Sequence, residues 1–375
     1  MKTNLVKGFQ DFTGKNAQKR AEIKKILVET FEKYGFEPAE TPIIEEEKFV
    51  RGENPEDEVI SDIYKLKDKG KRKLALRYEF TFQLKRLAKN KKLPYKRYQI
   101  GEVFRDEPVS SNRFRQFTQC DIDVVGGKIK QEAEILSLVS EVMKKLGIKF
   151  VIYFNNRKLL NEIFEEFKIK NKKQVIREID KLDKLPEKEI RKNLKELGAE
   201  KILGIFKKPE SYFKKYKSYI EIEELKKYCK LYKVDVNFLP SLARGLSYYN
   251  GTVFEVKTKG VKDAIGGGGS YPVNNLQATG ISFGFDRLSK LAKIKSEKET
   301  FLVVSLGQDK ESIKLAQKLR KQGKTASLFY GKPSKALGYA NSYNVGKVIF
   351  VGNKEVKSKK FKVKDMKTGK EKILT

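Results

Sequence analysis

The segment with the most chemical content is a glycine-rich turn that holds one arginine and two adjacent tyrosines. It spans residues 242–255 and reads LARGLSYYNGTVFE. The guanidinium of Arg244 can pair with a phosphate, while Tyr248 and Tyr249 offer flat apolar faces with polar tips. Because the turn runs into an apolar strand, these three side chains are candidates for a ligand site at a strand end.

A second candidate site lies between residues 97 and 126, where two strand-like runs flank a polar loop at 106–112. Arg105 lies just before that loop. The second run alternates with period two. One of its faces mixes cations, an aromatic ring, an amide and carboxylates: Arg113, Arg115, Phe117, Gln119, Asp121 and Asp123. A solvated face usually mixes lysine with glutamate, so this composition favours ligand binding. The opposite face is apolar apart from Gln116 and predicts that Cys120 is an inert, packed thiol.

The chain contains no histidine, and this excludes several mechanisms. A Ser-His-Asp or Cys-His nucleophile cannot form, and histidine-ligated zinc is excluded. Two cysteines, Cys120 and Cys229, make no disulfide framework and cannot close a zinc site alone. The remaining carboxylates, arginines and hydroxyls, with bound magnesium, suit phosphoryl or nucleotidyl transfer, in which positioning and charge neutralisation lower the barrier.

The net charge of +33 comes from 82 Lys and Arg against 49 Asp and Glu in 375 residues. It favours a polyanionic partner, nucleic acid before membrane. A lysine-rich proteome with solvated helix faces explains the charge equally well, because the lysines are spread over the whole length. No apolar signal-peptide core and no run of about 18 apolar residues occurs. We therefore expect a soluble, cytosolic protein of two or three domains.

The elements that must position these residues begin with a helix over about residues 16–34. Its apolar residues recur at helical spacing before Gly35: Ile23, Ile26, Leu27, Phe31 and Tyr34. A short extended run broken by prolines follows at 36–45. Residues 157–233 carry charged segments with helical periodicity, at 171–185 and 188–197, which indicate a helical insertion.

From about residue 299, strands alternate with helices. Strands at 301–306, 324–330 and 347–351, with helices at 310–322 and 334–341, predict a separate α/β domain with a parallel sheet. In its first helix we expect Ile313, Ala316 and Leu319 to face the core. The lysine-rich C-terminal tail is expected to fray.

Four motifs, in the right order, resemble those of histidyl-tRNA synthetases of class II. They are LRYEFT at 76–81, FR at 104–105 through FTQCDID at 117–123, the Arg244 segment, and GISFGFDRL at 280–288. Each string alone is weak, but the ordered set is not a plausible coincidence. The resemblance covers nearly the whole chain. It implies an α+β fold, with an antiparallel-sheet catalytic domain (1–156 and 237–297), a helical insertion (157–236) and an α/β anticodon-binding domain (298–375).

The resemblance also implies an activity. Histidine and ATP would form an adenylate, from which tRNA(His) takes the acyl group, and Mg²⁺ would accompany ATP without ligands that we can name. Arg105 and Arg244 would be the catalytic residues, holding the α-phosphate from two sides. The ATP site would comprise Arg105, Glu107, Arg113, Phe117 and Arg287. A carboxylate nucleophile is already ionised at neutral pH, which agrees with a chain that lacks histidine as a base.

By the same resemblance, eight residues would surround L-histidine: Glu79, Thr81, Gln119, Asp123, Arg244, Tyr248, Tyr249 and Tyr271. The first three would lie near the amino group. Asp123 and Tyr249 would reach the imidazole, and Tyr271 would close the pocket. Tyr248 is the weakest member of the set, because a second tyrosine more often packs than binds.

Several positions depart from the family pattern. Ser247 stands where aspartate is common, and Thr118 stands where histidine or tyrosine is common. GGGGSYP at 266–272 replaces a usual Gly-Gly-Arg-Tyr-Asp, so an arginine and an acid are missing. The four glycines permit close backbone approach to a ligand or form a flexible turn. The loop at 108–112 would touch the tRNA acceptor end, but it does not predict which discriminator base is read.

Other functions remain open on the sequence. A non-charging paralogue that regulates histidine biosynthesis, or a tRNA sensor, would share the catalytic core. Arg105, Arg244, Arg287 and the final α/β block argue against both. A homodimer is implied by the resemblance alone, through the extended segment around Pro42. The absence of histidine fits expression during histidine starvation, but compositional drift is the better explanation because tryptophan is absent too.

Overall fold

The computed structural model describes residues 4–51, 61–110, 113–183, 185–245, 248–294 and 299–374. The chain divides into two compact units, residues 1–294 and 295–375, and each has its own apolar core. Ser111, Asn112 and Ser247, which the sequence singled out, lie outside the described residues. The domain limits at 156, 236 and 297 remain predictions.

One large sheet dominates the first unit. The strands described there are β1 (Glu37–Pro38), β2 (Ile44–Glu46), β3 (Lys65–Lys67), β4 (Lys73–Leu76), β5 (Tyr95–Phe104), β6 (Gln116–Val125), β7 (Val151–Asn156), β8 (Asn237–Phe238), β9 (Thr252–Lys257), β10 (Gly266–Val273) and β11 (Leu276–Gly284). The large sheet has the order β1-β5-β6-β11-β10-β9-β7-β8, while β2, β4 and β3 form a small one. Its central pairs are antiparallel, which confirms the predicted fold class.

Helices cover this sheet and make the core. They are α1 (Gly14–Lys33), α2 (Glu47–Arg51), α3 (Thr81–Leu87), α4 (Ile129–Lys145), α5 (Arg157–Glu166), α6 (Lys172–Ile179), α7 (Glu187–Glu196), α8 (Ile202–Phe206), α9 (Tyr219–Leu231) and α10 (Phe285–Leu291). Helix α1 packs against α4 and buries Ile23, Leu27 and Phe31, spaced four residues apart as helical periodicity requires. The helix ends at Lys33, and Gly35 follows its C-cap Tyr34 with a φ of 78°, which suits a glycine.

Helices α5 to α9 lie between β7 and β8, where the sequence predicted a helical insertion. They share the main core, because α9 packs against both α4 and β7. Cys229 on α9 and Cys120 on β6 are both buried free thiols, as expected for Cys120. Burial raises the pKa of the Cys120 thiol far above its usual range, so the thiol stays protonated and unreactive.

The second unit is a five-stranded sheet with helices: β12 (Thr300–Ser305), α11 (Asp309–Lys321), β13 (Thr325–Tyr330), α12 (Pro333–Ser342), β14 (Lys347–Val351), α13 (Asn353–Ser358), β15 (Lys362–Asp365) and β16 (Glu371–Ile373). β12 pairs in parallel with β13 and β14, as predicted. Two expectations were wrong. Ile313 is 43% exposed, because Leu315 takes the inward position with Ala316 and Leu319. The lysine-rich tail does not fray but forms β15 and β16, which add antiparallel strands to β14.

Among the helices described, none is long and apolar enough to cross a membrane.

Candidate active site

The large sheet presents rows of side chains from alternate positions of neighbouring strands. In one row, Asp123 of β6 lies between Arg97 of β5 and Gly280 of β11. In the next row, nearer the start of β6, Asp121 lies opposite Ser282 of β11. A Cβ atom at Gly280 would lie 2.0 Å from Oδ1 of Asp123. Glycine at this position therefore leaves the space that the aspartate occupies.

The four-glycine run forms the first half of β10, so it is not a flexible turn. A Cβ atom on Gly267 would lie 2.5 Å from Nη1 of Arg244, and one on Gly268 would lie 2.0 Å from the carbonyl oxygen of Gly280. The missing side chains therefore let the Arg244 guanidinium lie close to Gly267 and let the neighbouring strand lie close to Gly268.

Above these rows lies a cavity of about 680 Å³. Every residue that the sequence analysis assigned to ATP or histidine lines it: Glu79, Thr81, Arg105, Glu107, Arg113, Phe117, Gln119, Asp123, Arg244, Tyr248, Tyr249, Tyr271 and Arg287. Arg115, on the predicted ligand face, instead pairs with Asp106 at 3.1 Å. The four separate motifs thus converge on one space, although each residue's role remains a prediction.

One end of the cavity is basic. The guanidinium of Arg105 lies 4.2 Å from the ring centre of Tyr78 and 5.1 Å from that of Phe117. Glu107 is near both Arg105, at 3.9 Å, and Arg113, at 3.6 Å. Nε of Arg105 is buried and has no hydrogen-bond partner among the described residues. An unsatisfied buried donor of this kind is what a site for an anionic ligand would leave open.

Arg287 adds a third cation to this end, from helix α10 directly after β11. Its Nη1 donates to the carbonyl of Ala264, and its Nη2 lies 3.5 Å from a carboxylate oxygen of Asp263. Burial lowers the pKa of Arg287, and the positive charge of Arg113 lowers it further. The two guanidiniums are therefore close enough to repel each other, which an anion between them would relieve.

The network behind α10 involves Thr118, one of the departures from the family pattern. The backbone N–H of Thr118 donates to Asp286 at 3.0 Å, and Arg20 donates to the Thr118 hydroxyl at 3.0 Å. Arg20 also pairs with Asp286. Thr118 therefore helps to join α1, β6 and α10 and does not line the cavity.

Arg244 lines the cavity and has a left-handed backbone conformation, with φ 52°. Its carbonyl accepts a hydrogen bond from Arg157 at 3.1 Å, and its Nη1 donates to Glu255 at 2.8 Å. Its Nε is buried and makes no hydrogen bond to the part of the chain that the structure describes. Non-glycine residues held in this region are strained and concentrate at functional sites.

The opposite end of the cavity is acidic. Glu79, Asp121 and Asp123 are each only 5% exposed. Burial raises the pKa of Glu79 to about 7, which Arg105 opposes and Asp121 reinforces. Burial also raises the pKa values of Asp121 and Asp123, and Arg97 opposes both shifts. Oε1 of Glu79 has no hydrogen-bond partner within the described ranges. A buried carboxylate in this state suits a ligand ammonium group.

Three tyrosine rings face these carboxylates. Tyr271 donates its hydroxyl to Asp123. The ring of Tyr248 lies 4.8 Å from that of Tyr249 and 5.5 Å from that of Tyr271, and all three line the cavity. Tyr248 therefore both packs and contributes to the wall. Apolar faces with polar edges fit a flat heteroaromatic ring.

Arg97 is the residue that the sequence analysis missed. Its side chain is fully buried, and its Nη2 lies 2.8 Å from Oδ2 of Asp123 and donates to the Phe80 carbonyl at 3.2 Å. Asp121 was noted on the ligand face but given no role, and Gln119 donates to both of its oxygens at 2.9 and 3.0 Å. Strand pairing alone brings Arg97 to Asp123, so no local signal identified it.

Ser270 and Pro272 stand where the family pattern has an arginine and an acid. Ser270, where an arginine was expected, donates to the buried Glu132, and neither Ser270 nor Pro272 lines the cavity. Within the described part of the chain, no group of three or more Cys, Asp and Glu residues is placed to hold a metal ion.

Comparison with known proteins agrees with the arrangement of motifs. Residues 8–288 match the family model described as histidyl-tRNA synthetase, and residues 300–375 match the anticodon binding domain. Histidine–tRNA ligase 1 of Bacillus cereus is 34% identical over 414 residues, covering 99% of this chain and 97% of that protein. Histidine–tRNA ligase of Clostridium acetobutylicum is 32% identical over 425 residues, with 100% and 98% covered.

Solved structures share the fold. The crystal structure of histidyl-tRNA synthetase from a Nostoc species has a TM-score of 0.87 at 25% identity and covers 100% of this chain and 97% of that one. A Bacillus halodurans structure, described as an ATP phosphoribosyltransferase regulatory subunit/histidyl-tRNA synthetase, has a TM-score of 0.78 at 20% identity and covers 93% and 98%. At that identity, the second likeness concerns the fold alone.

Proposed function

Because this chain belongs to the histidyl-tRNA synthetase family, we propose that it attaches L-histidine to tRNA(His) in two steps. The histidine carboxylate attacks the α-phosphorus of ATP, and pyrophosphate leaves. The terminal ribose hydroxyl of the tRNA then attacks the acyl carbon of histidyl-adenylate, and AMP leaves. The first nucleophile is already ionised, so fixed cations aimed at the phosphate lower the barrier without a general base.

The observation that carries the proposal is the polarity of the cavity. Three arginines meet at one end, and buried carboxylates with tyrosines meet at the other. A nucleotide triphosphate fits the first end, and an amino acid with a cationic amine and a flat ring fits the second. The histidine carboxylate would then lie at the junction, next to the α-phosphate.

We assign the ATP contacts from this arrangement. Arg105 and Arg244 approach the junction from different motifs and have buried, unpartnered Nε atoms in the described structure, so we assign the α-phosphate and the catalytic role to them. The mutually repelling pair Arg113 and Arg287 would bind the γ-phosphate end. Phe117 would stack on adenine, with Glu107 beside Arg105.

We assign the histidine contacts in the same way. Glu79 would accept from the ammonium group, with Thr81 and Gln119 around it. Asp123, Tyr249 and Tyr271 would surround the imidazole, and Arg244 would contact the carboxylate. Tyr248 would close the wall behind the ring. A buried site that hydrogen-bonds the ring nitrogens rejects isosteres that lack them.

Three further features belong to the proposal. Mg²⁺ would enter as part of the ATP substrate, held by phosphate oxygens. The enzyme would be a homodimer, and it would work in the cytoplasm, where tRNA is charged. The positive net charge of +33 would favour association with tRNA.

The test is pyrophosphate exchange with ATP, measured with each amino acid in turn, followed by charging of tRNA(His). Exchange with L-histidine alone, and histidine-dependent charging, are expected. Exchange with no amino acid would leave the regulatory paralogue, whose fold is shared but whose reaction is not. The match of residues 300–375 to the anticodon binding domain and the identity to ligases over nearly the whole chain favour charging.

A further inference from the structure

Among the residues that the structure describes, the acidic end of the cavity holds more negative than positive charge. Glu79, Asp121 and Asp123 can each carry one negative charge. The fully buried guanidinium of Arg97 pairs with Asp123. Asp121 and Asp123 are two residues apart on β6, so both side chains project from the same face. Asp121 and Asp123 each raise the pKa of Glu79, which places all three carboxylates within one electrostatic cluster.

Two further cations near the cluster, Arg244 and Arg105, have other partners in the described structure. Arg244 pairs with Glu255, which also lies 3.2 Å from Lys257. Arg105 lowers the pKa of Glu79, but it also faces Glu107 and the phosphate end of the cavity. The histidine carboxylate and ATP would bring further negative charge to Arg105 and Arg244. Counted over the residues that the structure describes, the acidic cluster therefore lacks two positive charges when its carboxylates are ionised, and the substrate ammonium supplies one.

We propose that this site binds L-histidine with its ring protonated, as the imidazolium, and that Asp121 together with Asp123 is the carboxylate pair that selects this form. The inference rests on the proposed function and specifies the substrate form. The imidazolium supplies the second missing charge. It also has two N–H donors and no acceptor, which matches a wall of carboxylate oxygens.

The hydrogen-bond inventory agrees with this assignment. Asp123 receives the Tyr271 hydroxyl and the Arg97 ion pair, and Asp121 receives the Gln119 amide. Each ionised carboxylate has about four acceptor positions, so capacity remains on both. A neutral ring has one N–H donor and can donate to only one of the two carboxylates, whereas the imidazolium can donate to both.

The charged and titratable groups around the pair come from every element that packs there. They are Arg97 on β5, Tyr78 and Glu79 before α3, Arg105 after β5, Arg244, Tyr248 and Tyr249 before β9, Glu255 on β9, and Tyr271 on β10. Burial raises the pKa values of Asp121 and Asp123, so ionising these carboxylates in the buried site costs free energy. A bound cation removes that cost. One nearby carboxylate typically raises a ring pKa by about 1–3 units from about 6.5.

The direct test is ¹⁵N NMR of ring-labelled L-histidine bound to the full chain at pH 8, where the free ring is mostly neutral. The chain has no histidine, so every imidazole signal belongs to the ligand. Two similar ring-nitrogen shifts, typical of the imidazolium, are expected. Two widely separated shifts, typical of a neutral tautomer, would overturn the proposal. Histidine-dependent pyrophosphate exchange in the same sample would show that the proposed function stands regardless.

A variant tests the role of Asp121. We expect Asp121→Asn to weaken histidine binding tenfold or more and to return the bound ring to the neutral form. The probe is a histidine analogue with a 1,2,4-triazole ring, which is much less basic than imidazole. The ratio of the affinity for histidine to the affinity for this analogue should be at least fivefold smaller in the variant than in the parent. An unchanged preference would contradict the selection role.

Asp235→Asn is the matched control, because Asp235 is exposed and lies outside the cavity lining. It should keep the parent's preference and ring shifts. If Asp121→Asn does not fold, the ring shifts of histidine bound to the unaltered chain still decide between the charged and the neutral ring.

Discussion

At the residue scale, Arg105 and Arg244 are the groups on which the proposed chemistry depends. Arg105 reaches the cavity from the end of β5, and Arg244 reaches it from a strained turn before β9. Their side chains also contact other groups of the protein, aromatic rings for Arg105 and Glu255 for Arg244. Those contacts orient the guanidiniums before any phosphate arrives, which is the condition for electrostatic stabilisation of a transition state.

Replacing Arg105 with glutamine should lower histidine-dependent pyrophosphate exchange about a hundredfold or more, because one preorganised donor is lost at the developing charge. The measurement is kcat under saturating ATP and histidine. Arg72→Gln is the control, since the Arg72 side chain is 78% exposed and pairs with the nearby Asp68. A loss below threefold in the Arg105 variant would remove this residue from the α-phosphate.

Arg97 should matter for stability. In Arg97→Met, Asp123 would stay buried without its cation, and the expected loss in the free energy of unfolding is about 3–5 kcal/mol. Urea denaturation at pH 8 measures it. Adding Asp123→Asn to the same chain should recover much of the loss, because no unpaired charge remains. Equal stability of parent and single variant would show that the ion pair does not hold the sheet together.

Local pattern predicted part of the cavity, through the period-two face of β6 and the turn that holds Arg244, Tyr248 and Tyr249. Other cavity residues, such as Glu79, Tyr271 and Arg287, were predicted only through the resemblance to the family. It did not predict Arg97, because a buried arginine within an otherwise ordinary strand has no local signature. Only the pairing of β5 with β6 brings Arg97 opposite Asp123.

At the element scale, strand β10 is unusual because its first four residues are glycine, which costs stability in a strand. Strand β10 leaves space for the Arg244 guanidinium and packs closely against β11, and two substitutions test these roles separately. Gly267→Ala should push the Arg244 guanidinium aside, since the new Cβ would lie 2.5 Å from Nη1, and should lower exchange tenfold or more with little change in stability. Gly268→Ala meets the Gly280 carbonyl at 2.0 Å, where backbone cannot yield, and should destabilise the fold by about 2–3 kcal/mol.

Pyrophosphate exchange and urea denaturation of both variants check this contrast. Gly204→Ala is the control, because nothing lies within 4 Å of its Cβ position and α8 is helical. That change should be neutral or stabilise by up to about 1 kcal/mol. If Gly267→Ala keeps full exchange, Arg244 does not need its present position.

Elements with strong periodicity were predicted closely. Helix α1 begins two residues before the predicted position, and β12 to β14 match their predicted strands within one residue. The failures have physical reasons. Glycine has little strand propensity, so β10 was ambiguous, and the lysine-rich tail pairs with β14 through its backbone, which composition does not reveal. In α11, Leu315 rather than Ile313 faces the core, because several apolar positions fit the helical period.

At the scale of the whole molecule, the two units have separate cores, and the cavity is lined by residues of the first unit only. A chain that ends at Ile294 should therefore keep pyrophosphate exchange within about threefold of the parent, since the adenylate step needs only that cavity. Charging of tRNA(His) should fall at least tenfold with the anticodon-binding domain removed. Loss of exchange in the shortened chain, with the fold intact by circular dichroism, would contradict this independence.

The lack of histidine also leaves buried acids as the main side chains that titrate between about pH 5 and 8. Folded Glu79 has a pKa of about 7, above its ordinary value of 4.5, so the folded state holds this proton more tightly than the unfolded state. Its contribution to stability is present at pH 5 and is lost as pH rises through 7.

Compared with Glu79→Gln, which stays neutral, the parent should lose about 1–3 kcal/mol more unfolding free energy between pH 5 and 8. Urea midpoints at both pH values measure the difference. Glu189→Gln, at an exposed position, should follow the parent. Parallel curves for parent and Glu79→Gln would mean that Glu79 ionises normally.

The glycines of β10 and β11 have a consequence for how substrate choice could change. Gly267 and Gly280 have no side chain that a substitution could shorten. Any substitution at these positions therefore adds atoms to the cavity wall and makes the cavity narrower. To accept a bulkier amino acid, the cavity would need smaller residues in place of its tyrosines, Tyr248, Tyr249 and Tyr271. Tyr271 also donates a hydrogen bond to Asp123, so a smaller residue at this position would remove a donor from a buried acid. The sheet that forms the cavity thus also opposes a change of specificity toward larger amino acids.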